Sequence, residues 1–165
     1  MPAPDIVMYE EEFNQIKQNI SKLRVDANAK VVFLVDKNGQ QIAAHGDIEN
    51  LDTTSLASLT AGNVAATDGL ARLIGEKEFS ILFHEGEKDN IHISIVAQRV
   101  ILVVIFDERS SLGLVRLRVK KASQELNDIF AKIMAKVEKE KTGPGGFESP
   151  FAEITDDDID SLFAE

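Results

Sequence analysis

The 165 residues contain no cysteine and no tryptophan, four prolines, one tyrosine and nine phenylalanines. Without cysteine there can be no disulfide framework and no thiolate metal centre, which suits a reducing compartment. The strongest apolar run, Val100 to Phe106, is far too short to cross a bilayer. The first thirty residues lack a basic stretch followed by an apolar one, so no signal peptide is expected and the cytoplasm is the expected location. Phosphate loops of the G-x-x-x-x-G-K-[ST] type, the G-x-G-x-x-G fingerprint and the G-x-S-x-G elbow are all missing, so the chain is not expected to bind a nucleotide or hydrolyse an ester itself. No cofactor is expected.

Charge of one sign is missing locally. From Phe147 onward there are seven acidic residues and no lysine or arginine, whereas the whole chain has 28 acids against 18 bases and a net charge of −10. The body before it is close to balanced, which leaves the tail as a separate electrostatic object and disfavours nucleic acid as a partner for either. Residues 142–150, rich in glycine and proline, form the expected flexible linker between a domain at 1–141 and a tail at 151–165.

What is present is strongly periodic. Phe13, Ile16, Ile20 and Leu23 mark a helix over 9–24, ended by Asn28. Val31 to Val35 and Gln41 to Ala44 read as a hairpin around Asn38-Gly39. A long helix follows over 54–75, with N-caps available at Asp52, Thr53 and Thr54 and a C-cap at Gly75. Phe79, Ile81 and Phe83 share one face of a third strand, Ile91, Ile93 and Ile95 one face of a fourth, and Val100 to Phe106, apolar on both sides, belongs mid-sheet. The last helix carries Leu112, Val115, Val119, Ala122, Leu126, Ile129 and Ile133. The order α-β-β-α-β-β-β-α predicts an α+β fold with a five-stranded, mainly antiparallel sheet covered by helices.

The second helix is the most informative element. Leu56, Leu59, Ala66, Leu70 and Leu73 form the stripe expected to seat it on the core. About a quarter-turn round, Ser58, Gly62, Ala65 and Gly69 form a ridge with nothing larger than serine. Interior glycines cost a helix about 1 kcal/mol each relative to alanine. Such a ridge is expected to let another backbone come close, with Gly62, Ala65, Ala66 and Gly69 as the docking residues.

Other clusters carry less. His84-Glu85 with His92 invites a metal reading, but it flanks a strand turn and no H-E-x-x-H helix exists, so solvated strand ends are expected. Arg116, Arg118, Lys120 and Lys121 form a basic run read as a solvated face, with an acidic partner or the acidic tail as alternatives. Arg72, Arg99 and Arg109 are each conceivable arginine fingers, and no spacing singles one out. In the tail, Thr155 and Asp158 fit a capping box, Ile154 and Ile159 a hydrophobic staple, and Ile159, Leu162 and Phe163 one apolar helix face. So short a helix is marginal alone in water. The reading is a segment that folds on a partner, with a disordered solubility tail as the alternative.

Three stretches resemble the bacterial MglB family, whose members have the roadblock fold. They are Ala27-Asn28-Ala29-Lys30-Val31-Val32-Phe33-Leu34-Val35-Asp36-Lys37-Asn38-Gly39, Asp52-Thr53-Thr54-Ser55-Leu56-Ala57-Ser58-Leu59-Thr60-Ala61-Gly62-Asn63-Val64-Ala65-Ala66 and Ser111-Leu112-Gly113-Leu114-Val115-Arg116-Leu117-Arg118. The end from Ser149 to Phe163 resembles the tail of the gliding-bacterium branch. The resemblance implies a homodimer that binds an MglA-type Ras-like GTPase, stimulates its GTP hydrolysis without donating an arginine, and promotes nucleotide exchange. With such a partner, the ridge of Gly62, Ala65, Ala66 and Gly69 is the surface expected to meet the GTPase, and Ile154, Ile159, Leu162 and Phe163 of the tail are expected to bind it too; the resemblance also implies concentration at a cell pole. A scaffold that gathers partners without altering turnover is the competing expectation.

Overall fold

The computed structural model describes residues 9–142. The linker from 143 on and the acidic tail lie outside the described residues. Three helices and five strands follow in the expected order: α1 Glu10–Asp26, β1 Val31–Asp36, β2 Gln41–Gly46, α2 Thr53–Leu73, β3 Ile81–Glu85, β4 Asn90–Val96, β5 Val100–Phe106 and α3 Leu112–Thr142. The strands lie in the order β2-β1-β5-β4-β3, and every pairing is antiparallel. All seven residues of β5 are buried, which fits its place between β1 and β4.

Alternation along the strands divides the core. Val32, Leu34, Leu102, Val104 and Phe106 face α1 and α3, together with Ile16, Ile20, Leu23, Val115, Val119 and Leu126. Val31, Phe33, Val35, Ile93, Val103 and Ile105 face the other way, toward Ala57 and Val64 of α2. A one-residue slip in any strand would exchange the two sets, so burial on both sides fixes the register. β3 begins only at Ile81 and leaves Phe79 in the preceding loop. Its Phe83 stacks on Phe106, with centroids 6.1 Å apart.

Local chemistry sets the boundaries. Asn28, at φ 51°, ends the turn after α1. The Asp36 carboxylate accepts the amides of Asn38 and Gln40, closing the β1–β2 turn. Gly46 must be glycine: at φ +126° a Cβ would lie 2.2 Å from the Lys30 carbonyl oxygen. α2 ends in a full Schellman motif, with Gly75 N–H donating to Arg72 O and Glu76 N–H to Ala71 O.

Two buried polar groups were not expected. Glu12 of α1 is ion-paired with Lys136 of α3, and this bond holds its carboxyl below the usual range. Asn19 donates to the Ala122 carbonyl at 3.3 Å. Both lie on the seam between α1 and α3, where burial requires a partner.

Candidate partner-binding surface

The orientation of α2 reverses the expectation from its leucines. Leu59, Leu70 and Leu73 are 73%, 57% and 84% exposed, and Ala66 is exposed as well. Leu56 alone of the expected stripe is partly buried against the core. Ala57, Thr60, Val64 and Ala71 face the sheet instead. The β1–β2 turn supplies the reason. At Gly39 an added Cβ would lie 3.4 Å from the Ser58 Cα and 3.7 Å from the Ala61 Cβ. Backbone meets backbone there, and only small residues on the inner side of α2 allow it.

The helix is held firmly in that orientation. Asp52 caps it, its carboxylate accepting the Ser55 hydroxyl at 2.6 Å and the Ser55 amide at 3.0 Å. These bonds, the hydroxyl first, keep the carboxyl below its ordinary range. Further along, Asn63 and His84 of β3 are 2.9 Å apart in a side-chain hydrogen bond.

Gly62, Ala65, Ala66 and Gly69, together with Ser58, are all exposed. A Cβ built on Gly62 or Gly69 meets nothing within 4 Å. Helical projection places Leu59 and Leu70 along one flank of the outward face, Gly62, Ala66, Gly69 and Leu73 along its crest, and Ser58 and Ala65 along the other flank. The charged residues of α2 are Asp68 and Arg72. Asp68 projects toward the sheet, where one carboxylate oxygen is buried without a hydrogen bond, and Arg72 stands at the margin. The outward face is therefore an uncharged strip of small and leucine side chains. From its end the chain passes Ile74, 69% exposed, and reaches the edge strand β3 at Ile81, 52% exposed. Contiguous exposed apolar surface of this kind marks a protein-interaction site.

The remaining candidates disperse. His84 and His92 sit opposite Ile91 and Phe83 respectively, on opposite faces of the sheet, and cannot share a metal ion. His92 is not a solvated strand end. It is 1% exposed, neither ring nitrogen has a hydrogen bond, and burial, with Arg116 adding repulsion, pushes its pKa down. Among the described residues no cluster of three metal-ligating side chains occurs. Arg109 is tied to Asp107 at 3.0 Å and Arg99 lies on the Met134 sulfur. Ile154, Ile159, Leu162 and Phe163 fall outside the described residues.

Comparison with known proteins decides the family. The Roadblock/LC7 domain model matches residues 16–106. Myxococcus xanthus MglB superposes with a TM-score of 0.74 at 66% identity, over 77% of this chain and 96% of that one. The chain belongs to the MglB family of Roadblock/LC7 proteins. The gliding protein MglB of Thermus thermophilus is similar at 30% identity, over 79% of this chain and 98% of its own, with a TM-score of 0.74. A further structure, described as MglB with a tetrameric arrangement, is 29% identical with a TM-score of 0.74, over 79% of this chain and 98% of its own. No curated protein sequence matches the chain. Among the described residues no helix is long and apolar enough to cross a membrane.

Proposed function

We propose that this protein is a homodimeric regulator of an MglA-type Ras-like GTPase, stimulating GTP hydrolysis by ordering the GTPase's own catalytic groups. The observation that carries the reading is the outward face of α2, uncharged along its length and stripped of side chains at Gly62 and Gly69. Phosphoryl transfer is accelerated largely by positioning and charge stabilisation, so a partner that immobilises existing arginine and glutamine side chains suffices. Of the three arginines considered, Arg99 and Arg109 are engaged within their own chain, and Arg72 stands exposed at the margin of the face.

The face offers two uses. The Leu59 and Leu70 flank, with Leu73 and the open edge of β3, suits a second copy of the chain. The flank of Ser58 and Ala65, with Gly62 and Gly69 beside it, suits the GTPase switch region. The tail residues Ile154, Ile159, Leu162 and Phe163 would bind the GTPase separately and promote nucleotide release. A cytoplasmic protein concentrated at a cell pole follows from the same reading.

Single-turnover GTP hydrolysis by the cognate GTPase tests it. Substoichiometric protein should accelerate hydrolysis, and Gly69→Arg should abolish both acceleration and complex formation. Binding without acceleration would favour the scaffold alternative, and normal binding by Gly69→Arg would remove the ridge from the interface.

A further inference from the structure

The side of α3 that faces away from α1 carries a groove distinct from the α2 face proposed for GTPase docking. It is open, with a volume of about 250 Å³, and lies between α3 and the β4–β5 turn. Ala97, Arg99, Asn127, Phe130, Ile133 and Met134 line it, and no acidic residue does. Phe130 and Ile133 are buried and make an apolar floor, while Met134, 40% exposed, forms an adaptable rim. The mouth is held open by backbone. Ala97 and Gln98 both adopt left-handed conformations, at φ 54° and 59°, and the Ala97 amide donates to the Asn127 side-chain oxygen at 2.8 Å.

Cations continue the groove along the helix. Lys120, Asn127 and Met134 recur at seven-residue intervals and so share one side of α3, with Arg116 a turn before Lys120. Arg99, Arg116 and Lys120 have no ion pair among the described residues. The other half of the basic run, Arg118 and Lys121, lines a crevice against α1 together with Lys22, Asp26 and Glu125, so acids stand beside it there. Among the described residues the groove lining itself has no such acid.

The chain itself supplies a matching ligand. Met134 lies about 12 Å of helix before the end of α3 at Thr142. Residues 143–150, when extended, reach up to about 26 Å, so the segment beyond them can return to the groove with slack. That segment has six acids, no base, and apolar side chains at Phe151, Ile154, Ile159, Leu162 and Phe163. We propose that the groove between α3 and the β4–β5 turn receives the protein's own acidic tail, with the apolar residues over Phe130 and Met134 and the aspartates toward Arg99, Lys120 and Arg116.

Tethering makes even weak docking effective. A short flexible linker gives an effective concentration in the millimolar range, so an intrinsic affinity of about 1 mM keeps the groove about half occupied. The inference stands without the GTPase. Where the tail also binds a GTPase, as proposed above, the groove competes for the same apolar side chains, and release from it becomes a step in complex formation.

The absence of native cysteine makes the test direct. A nitroxide on Ser161→Cys in the full-length chain is read out by the methyl resonance of Met134, one of only three methionines. Docking in low salt should broaden that methyl several-fold. It should sharpen again at about 0.5 M salt, where screening is strong, and in Arg99→Glu/Lys120→Glu. A sharp Met134 methyl in low salt, or broadening that ignores the charge reversals, overturns the proposal. The doubly labelled chain is then mixed with excess unlabelled chain. Undiminished broadening supports docking within one chain, whereas its loss puts a neighbour's tail in the groove and overturns the assignment.

Discussion

Among the described residues Gly62 and Gly69 have no steric reason to be glycine, because a Cβ at either would enter open space. Each weakens α2 by about 1 kcal/mol relative to alanine. Gly62→Ala and Gly69→Ala should therefore each raise the thermal midpoint by about 2–4 °C, measured by circular dichroism. A midpoint that falls in either variant would mean that the glycine serves the fold and not a partner. His92 is the opposite case, a residue whose surroundings lie within the protein. It faces Phe83 and Val104 across the strands, and Arg116 is the charged group that repels its protonated form. Its folded pKa is lowered from the ordinary value of about 6.5, so the folded state resists the proton that the unfolded chain accepts. Stability should be fully present above about pH 6.5 and decline as the pH falls below it, by at most about 1.4 kcal/mol per pH unit for one proton. Urea melts of wild type and His92→Leu at pH 7.5 and 5.0 check this. The variant should lose less stability than wild type on acidification, and parallel losses would clear His92 of the effect.

Periodicity located the elements because burial imposes it, at two residues per repeat on a strand and 3.6 on a helix. For α1 and α3 it also gave the buried face, since Ile16, Ile20, Leu23, Val115, Leu126 and Ile133 of the expected stripes are all buried. For α2 the same rule chose the wrong face. Its leucines other than Leu56 point outward and Ala57, Thr60 and Val64 inward, and the approach of Gly39 to Ser58 and Ala61 is a tertiary contact that no local spacing encodes. The small ridge was legible for the complementary reason: glycine in a helix has a local cost whatever surrounds it. The β4–β5 turn was visible as a break at Gln98-Arg99, but not its handedness. Alanine at φ 54° is strained where glycine is not. Ala97→Gly should thus stabilise by up to about 1 kcal/mol in chemical denaturation, provided that the Asn127 bond to its amide persists. Asn127→Ala should destabilise by about 1 kcal/mol through that lost bond. If both variants match wild type, the turn's geometry has no part in holding the groove.

Across the whole molecule, the two faces of the sheet are treated unequally. α1 and α3 cover one face and bury most of their large apolar residues, with Val25, Leu117 and Met134 exposed. Among the described residues α2 alone covers the other and leaves Leu59, Leu70, Leu73 and Ile74 in solvent, next in sequence to an edge strand that pairs on one side only. An exposed apolar strip and an open edge are each hazards for a monomer, and a second copy placed across both would remove them together. In sedimentation the unaltered chain should therefore run as an oligomer and Leu59→Asp/Leu73→Asp as a monomer. Because both side chains are already exposed, 73% and 84%, the far-UV spectrum should be unchanged. GTPase capture by the monomer then separates the two uses of the face. If it survives, the ridge of one α2 is enough for docking. If it is lost while Gly69→Arg remains oligomeric, the GTPase needs two helices side by side, and assembly is itself part of the binding site. An oligomer undisturbed by the two aspartates would instead place the contact between copies away from the leucines of α2.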